Sequence, residues 1–302
     1  MIELWVPITL ASAFLQNLRS TAQKHLKGVM GTTGATFARF GFGMPFALLF
    51  VALLHWGPGH PLPNPNAGFF GWVVVGGISQ IAATFLLVHL FSFRNFAVGT
   101  AYSRTEPAQA AVFGLLFLGE VVTAGTLMAI TISVVGVMLI SVARVAINPR
   151  ALMTSILAPT ALIGLLSGTC FGLSAVAYRG ASLALGGPNF MMQSAFTLSA
   201  VTLFQTVLML GWIVLRDPAE LRRIGTAWKP SLFVGFVGAL GSFGWFAAMT
   251  LREAAVVKAL AQVEMIFTFA SSAFFFKERI NRFEIAGCVL IAFGVLALIL
   301  FR

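Results

Sequence analysis

The chain has 302 residues, 59% apolar and only 9% charged, with a mean hydropathy of +0.94. A soluble domain carries about 25% charged residues, so this composition excludes a water-soluble fold and points to helices crossing a bilayer. The net charge of +10 does not indicate nucleic-acid binding. The basic residues form no patch but sit in short connections, as with Arg216, Arg222, Arg223 and Lys229, or Lys277, Arg279 and Arg282. Such connections hold topology-setting charge in membrane proteins.

Apolar runs bounded by charge, Gly, Pro or Asn predict spans at 4–22, 34–54, 69–91, 96–118, 124–143, 158–179, 190–214, 231–250, 254–276 and 283–301. Each approximates the ~20 residues that cross a hydrocarbon core. The first run follows Glu3 with no basic segment before it, so it is expected to remain in the mature protein rather than be cleaved. Pro58, Pro61, Pro63 and Pro65 make the connection from His55 to Gly68 extended and place it outside the hydrocarbon. Connections as short as those at 119–123 and 252–253 force neighbouring helices to be adjacent and antiparallel. Cys170 and Cys288 lie within apolar runs, so neither a disulfide framework nor a metal site is expected.

The strongest internal signal is a repeat. A shift of 158 positions, without a gap, places Arg94 on Arg252, Glu106 on Glu264, Glu120 on Glu278 and Gly136 on Gly294. Apolar residues align by chance in any two membrane helices, but four scarce positions rarely do. The predicted organisation is a first five-helix repeat at 1–143, a linker at 144–157 and a second five-helix repeat at 158–302. An odd number of helices per repeat inverts the second relative to the first. The fold class expected is therefore an all-α polytopic membrane protein of ten transmembrane helices, two inverted five-helix repeats around a central cavity. Charge agrees: basic residues occupy the first and third connections of one half (Arg19, Lys24, Lys27; Arg94) and mainly the second and fourth of the other. The positive-inside rule makes that side cytoplasmic and both termini non-cytoplasmic, against a minority connection carrying Arg252.

Gly164, Gly168 and Gly172, and Gly235, Gly238, Gly241 and Gly244, recur at three- and four-residue spacing. In lipid such rows read as packing seams, and no strand precedes them to suggest a nucleotide-binding turn. Trp5, Trp56, Trp72, Trp212 and Trp228 lie near predicted helix ends, where interface anchoring accounts for them.

A charge inside a membrane helix costs roughly 2.5–3.5 kcal/mol on insertion scales and needs a reason. The fourth span supplies Tyr102, Arg104, Glu106 and Gln109; the ninth supplies Lys258, Gln262 and Glu264. Tyr102, Glu106 and Gln109 share one helical face, as do Lys258 and Gln262. Pro107 cannot bond the carbonyl of Ser103, leaving an acceptor beside the acidic residue. These groups, with Gln16, Gln80 and Trp245, are the expected wall of a substrate cavity. The competing reading makes them structural ion pairs, Glu106 with Arg39 or Arg104 with Glu264. Arg39 reads as architectural, and Glu120 and Glu278 as helix-end residues that cap or pair locally. A lone His such as His89 is ordinarily a hydrogen-bonded core residue. No metal-binding cluster, nucleophile elbow or Walker motif occurs, so neither an enzyme nor a cofactor is expected.

The segment TEPAQAAVFGLLFLGEVVTAGTLMAITISVVGVMLI, with Pro107, Glu120 and Gly136, resembles the end of an EamA-type domain. VEMIFTFASSAFFFKERINRFEIAGCVLIAFGVLALIL, with Glu278, Gly287 and Gly294, matches it in the second half, and Arg39 in RFGFGMPFALL resembles the arginine that opens the second helix. Met265 stands where the first half has Pro107, and Ala129 where the second has Gly287, so the two walls are not equivalent. The resemblance covers nearly the whole chain and implies the drug/metabolite transporter superfamily: ten helices, a five-plus-five inverted repeat, a central cavity, and peripheral fifth and tenth helices. It implies export of small organic metabolites, amino acids or related compounds foremost, across a bacterial inner membrane by alternating access. Protons are an optional partner, the bilayer is the solvent, and one monomer suffices for a site. A membrane-embedded enzyme or a non-transporting receptor would need a reactive cluster or soluble domains; the sequence supplies neither.

Overall fold

The computed structural model of the chain describes residues 3–90, 92–93, 102–143, 159–187, 189–267 and 282–300. The linker, Arg94, Lys277, Glu278 and Arg279 lie outside them. The described residues are helical apart from turns and short connections: α1 (Trp5–Lys27), α2 (Thr32–Gly41), α3 (Met44–Trp56), α4 (Ala67–Leu90), α5 (Glu106–Leu118), α6 (Ala124–Ala143), α7 (Pro159–Ala184), α8 (Phe190–Arg216), α9 (Ala219–Thr226), α10 (Trp228–Leu251), α11 (Ala254–Leu260), a 3₁₀ turn (Ala261–Val263) and α12 (Arg282–Leu300). Among the described residues, five helical segments are long and apolar enough to cross a membrane: Thr32–Trp56, Ala67–Leu90, Pro159–Ala184, Phe190–Arg216 and Trp228–Leu251.

These helices suit a solvent that offers no hydrogen bonds, because their polar side chains are satisfied internally. In α1 the hydroxyls of Thr9 and Ser12 donate to the carbonyls of Trp5 and Ile8, at 2.7 and 2.8 Å. The helix continues past the predicted end at 22 because Gln23 donates to the Ala35 carbonyl (2.7 Å) and Lys27 to that of Val88 (2.9 Å).

Three predicted spans are interrupted. The second breaks at Phe42–Gly43, between α2 and α3, where Pro45 enters the first turn of α3. The fourth breaks at Arg104–Thr105, so Pro107 starts α5 instead of kinking a continuous helix. The ninth tightens into the 3₁₀ turn at Ala261–Val263, and its predicted end lies outside the described residues. The basic connection at 217–227, read as a loop, contains the short helix α9. Its buried Glu220 accepts from the Gly34 backbone N–H at 3.0 Å, satisfying the start of α2, and pairs with Arg223.

The main interfaces join the first half of the chain to the second: α1 with α10, α4 with α7, α5 with α7, α3 with α8, and α6 with α12. The halves thus clasp one another instead of packing as separate bundles. Along α6 and α12 the clasp is reciprocal. A Cβ on Gly136 would lie 2.8 Å from the Gly287 carbonyl oxygen, and one on Gly294 would lie 3.0 Å from that of Ala129. The 158-residue shift converts the first contact into the second, and these equivalent helices run antiparallel.

Bonds between connections define two ends. At one, Lys27 meets Val88 and Ser92, and α9 meets α2; Arg216 lies over Trp212 and Lys229 over Trp228, with both indoles about half exposed. At the other, Asn66 donates to the Ala184 carbonyl (2.7 Å) while capping α4, and Asn189 meets His60 (2.8 Å). There too Arg179 pairs with Glu120 and donates to the carbonyls of Met249 (2.6 Å) and Arg252 (2.8 Å), ending α10. Glu120 therefore bonds across the fold, not locally. Two expected interface tryptophans are internal: Trp5 is 2% exposed and bonds Glu3, and Trp72 packs over Gly180.

If the clasp needs bare glycine, Gly136→Leu and Gly287→Leu will each lower stability by about 1–3 kcal/mol through overpacking. Gly211→Leu, where a Cβ meets nothing within 4 Å, will not. Thermal unfolding in detergent checks this ordering.

Candidate functional site

The interrupted helices bring their charged residues to one place. Glu106 is the first residue of α5, so its carboxylate sits where exposed N–H groups favour negative charge. Its Oε1 lies 2.8 Å from Nζ of Lys258 on α11, and that ammonium stands 4.9 Å from the centre of the Trp245 ring. Arg104, in the break, places Nη1 3.2 Å from Oε2 of Glu264, which also accepts from Gln16 Nε2 at 3.1 Å. Gln262 donates to the Arg104 carbonyl at 3.0 Å. Each ion pair therefore takes one partner from each half.

Positions 104 and 262 differ by the same 158 residues that relate the two glutamates, so equivalent points of the two repeats touch here. The repeat image of Arg104 is Gln262, not a cation, so the two ion pairs are not images of one another. The pairing expected of Arg104 with Glu264 forms, whereas Glu106 takes Lys258 and not Arg39. The Ser103 carbonyl, expected to stand free, faces α7: a Cβ on Gly168 would lie 2.9 Å from it, and one on Gly172 would lie 3.2 Å from the Glu106 carbonyl. Bare glycine lets α7 press against the break.

A cavity of about 60 Å³ lies between the halves, room for a few waters. Of the residues expected at a site, Gln16, Gln80, Arg104, Glu106, Trp245, Lys258 and Glu264 line it. Tyr102, Gln109 and Gln262 do not. Tyr102 is buried beneath the wall, Gln109 donates to Thr105 Oγ1 at 2.8 Å, and Gln262 holds the Arg104 backbone. The shared helical face predicted for Tyr102 with Glu106 and Gln109 is lost because the helix breaks between them. His89 stacks on Phe85 away from the cavity.

Several lining residues escaped the sequence reading. Arg19, assigned to a basic connection, lies within α1 and is 6% exposed. Its spacing from Gln16 and Gln23 on one helical face was the available signal. Arg39 is not merely architectural: it lines the cavity and donates to Thr84 Oγ1 at 3.1 Å. With the Gln80 amide oriented to satisfy its neighbours, the Gln80 oxygen accepts from Arg39 at 2.9 Å and its nitrogen donates to Ser174 at 2.7 Å. Tyr178, one of only two tyrosines in the chain, stacks on Phe246 at 4.4 Å and receives a bond from Gln205 at 3.3 Å. Among the described residues no cluster of His, Cys, Asp or Glu could hold a metal ion.

A crossed-helix interior with charges at the junction of two repeats defines a membrane transporter architecture, and the comparisons with known proteins agree. The EamA-like transporter family model matches residues 3–142 and again 158–300. The chain therefore belongs to the EamA-like transporter family, within the drug/metabolite transporter superfamily. Of the solved structures, 28 chains match. One, described only as the crystal structure of a protein, has a TM-score of 0.73 at 15% identity, over 98% of this chain and 96% of its own. That likeness is one of fold. No curated protein matches the sequence.

Removing one member of a buried ion pair strands the other, at a cost of about 3–5 kcal/mol. Lys258→Met should therefore destabilise the protein strongly, and adding Glu106→Gln should restore much of the loss. A double-mutant cycle from thermal unfolding in detergent measures the coupling.

Proposed function

We propose that the protein is a secondary transporter that exports small organic metabolites, in the first instance amino acids or related compounds, by alternating access. The observation that carries this reading is the pair of ion pairs, Glu106–Lys258 and Arg104–Glu264, each bridging the halves at the cavity. A charge pair spanning two bodies has two stable arrangements, closed on itself or opened around a solute bearing matching charge. An amine can take the place of Lys258 at Glu106, and a carboxylate can take the place of Glu264 at Arg104. Trp245 Nε1, on the cavity wall, is buried without a hydrogen-bond partner among the described residues, so a polar solute finds a donor waiting. At about 60 Å³ the cavity is smaller than such a solute, which fits an occluded arrangement that widens as the halves move.

The same reading takes the fold as ten transmembrane helices in two inverted repeats, supported by the antiparallel, reciprocal contact of α6 with α12. It places the end bearing Lys27, Arg216, Arg222, Arg223 and Lys229 in the cytoplasm of a bacterial cell, with the termini opposite. In a proton-coupled cycle, Glu106 or Glu264 takes up the proton. A rate independent of pH, or coupling retained in both Gln variants, removes the proton from the cycle.

Counterflow in proteoliposomes, screened over amino acids and metabolites at two pH values, tests the reading. One solute class should exchange, and Glu106→Gln and Glu264→Gln should each reduce exchange at least about tenfold, the loss of roughly 1.4 kcal/mol of binding or barrier energy. Absence of flux from folded protein, or full exchange in both variants, contradicts it.

A further inference from the structure

The charges around the cavity do not balance. Among its described lining residues are four cations, Arg19, Arg39, Arg104 and Lys258, and two carboxylates, Glu106 and Glu264. Lys258 and Arg104 each have a carboxylate partner. Arg19 and Arg39 make their hydrogen bonds to neutral groups; Glu264 lies within electrostatic reach of Arg19 and Glu106 of Arg39, but these carboxylates are already engaged by Arg104 and Lys258. Arg19 donates to Gln23 Oε1 at 3.4 Å and Ser20 Oγ at 3.3 Å, and Arg39 to Thr84 and, in the satisfied orientation, Gln80. Their stems converge on Gly238, where an added Cβ would lie 3.2 Å from Arg19 Cδ and 3.7 Å from Arg39 Cγ. Two guanidinium groups thus sit side by side in a low-dielectric interior, where a buried cation ordinarily has an anion.

A side chamber of the cavity, with room for about one water or one oxygen atom, lies there, lined by Gln16, Arg19, Arg39, Ser242 and Trp245 among others. Among the described residues that line it there is no carboxylate. Trp245 is 5% exposed, and its indole N–H has no partner among the described residues. Two guanidinium forks, a free indole donor and a hydroxyl around one small space form a binding site for an oxyanion, since charge-assisted bonds from planar guanidinium groups suit carboxylate and phosphate oxygens.

We propose that this chamber is an anion subsite and that the transported solute is an organic anion, with a carboxylate or phosphate held by Arg19, Arg39 and Trp245. The remainder of the solute lies against the two ion pairs. The proposal rests on the transporter reading only for the word transported; the subsite itself is a binding property. It narrows the substrate class from amino acids and related metabolites to those of net negative charge, acidic amino acids among them, and sets neutral zwitterions and cations aside.

The test is a charge series on the purified full-length protein, read first by thermal shift in detergent and then by counterflow. Succinate and glutamate are compared with glutamine and 1,4-diaminobutane, and phosphoserine with serine. The anionic members should raise Tm with saturable dependence on concentration while their neutral and cationic counterparts do not. The two anion types separate carboxylate from phosphate preference. Arg19→Gln and Arg39→Gln should weaken anion binding at least tenfold, and the Lys variants should retain part of it. Trp245→Phe, which keeps an aromatic face for Lys258 and removes the indole N–H, should weaken it severalfold. Equal binding of glutamine or diaminobutane overturns the subsite, as does unchanged anion binding in Trp245→Phe and the arginine variants. Counterflow of neutral solutes without anion binding overturns it while leaving the transporter reading intact; anion binding without flux supports the subsite and counts against transport.

Discussion

A carboxylate away from water needs a counter-charge, and here Glu106 and Glu264 find theirs across the boundary between the two halves. Glu106 and Glu264 come from equivalent points of the repeat, yet each is paired with a cation supplied by the other half. Separating the halves would strip each carboxylate of its paired cation, so the charges add to what the apolar helix faces contribute to holding the halves together. The same dependence makes the cavity wall responsive. A bond between two bodies is broken or remade when the bodies move, whereas one within a single helix is indifferent to such motion.

Interrupting the helices is what makes this arrangement accessible. A continuous helix over 96–118 would fix Tyr102, Glu106 and Gln109 on one stripe. The break at Arg104–Thr105 instead sends Tyr102 into the packing, turns Arg104 towards Glu264 and gives Glu106 the start of α5. The 3₁₀ turn at Ala261–Val263 does the corresponding work in the second half, directing Gln262 onto the Arg104 backbone. Glycine on α7 lets that helix close over the interruption, and glycine on α6 and α12 lets the two repeats cross with backbone against backbone. Irregular backbone of this kind is tolerated in a membrane where it is covered by protein or lines a cavity.

Much of this was legible from scarcity. In a chain with 9% charged residues, a carboxylate inside an apolar run is conspicuous, and its recurrence after 158 positions locates the symmetry. Glu106, Glu264, Arg104 and Lys258 were therefore readable as one constellation. Pairing was not, because periodicity along a helix says which residues share a face but not which face meets which. Arg19 was hidden by the positive-inside pattern, which assigns a basic residue near a helix end to the connection; here α1 runs on to Lys27 and carries it inward. Glu120 looked local because its partner, Arg179, is 59 residues away on α7. The helix α9 went unread because its charge density resembles that of a loop, while its fold depends on Glu220 reaching the start of α2.

Under the alternating access proposed above, the space between the halves is reached in turn from the two sides of the membrane. Ser242 lines both the main cavity and its side chamber, and nothing else in the chain offers a thiol once Cys170 and Cys288 are replaced by Ala. The most direct measurement is labelling of Ser242→Cys by a membrane-impermeant thiol reagent, applied from either face of oriented vesicles. Alternating access predicts modification from both faces, slowed from both by a transported solute. Modification from one face only, or from neither, in a variant that still catalyses exchange would contradict it.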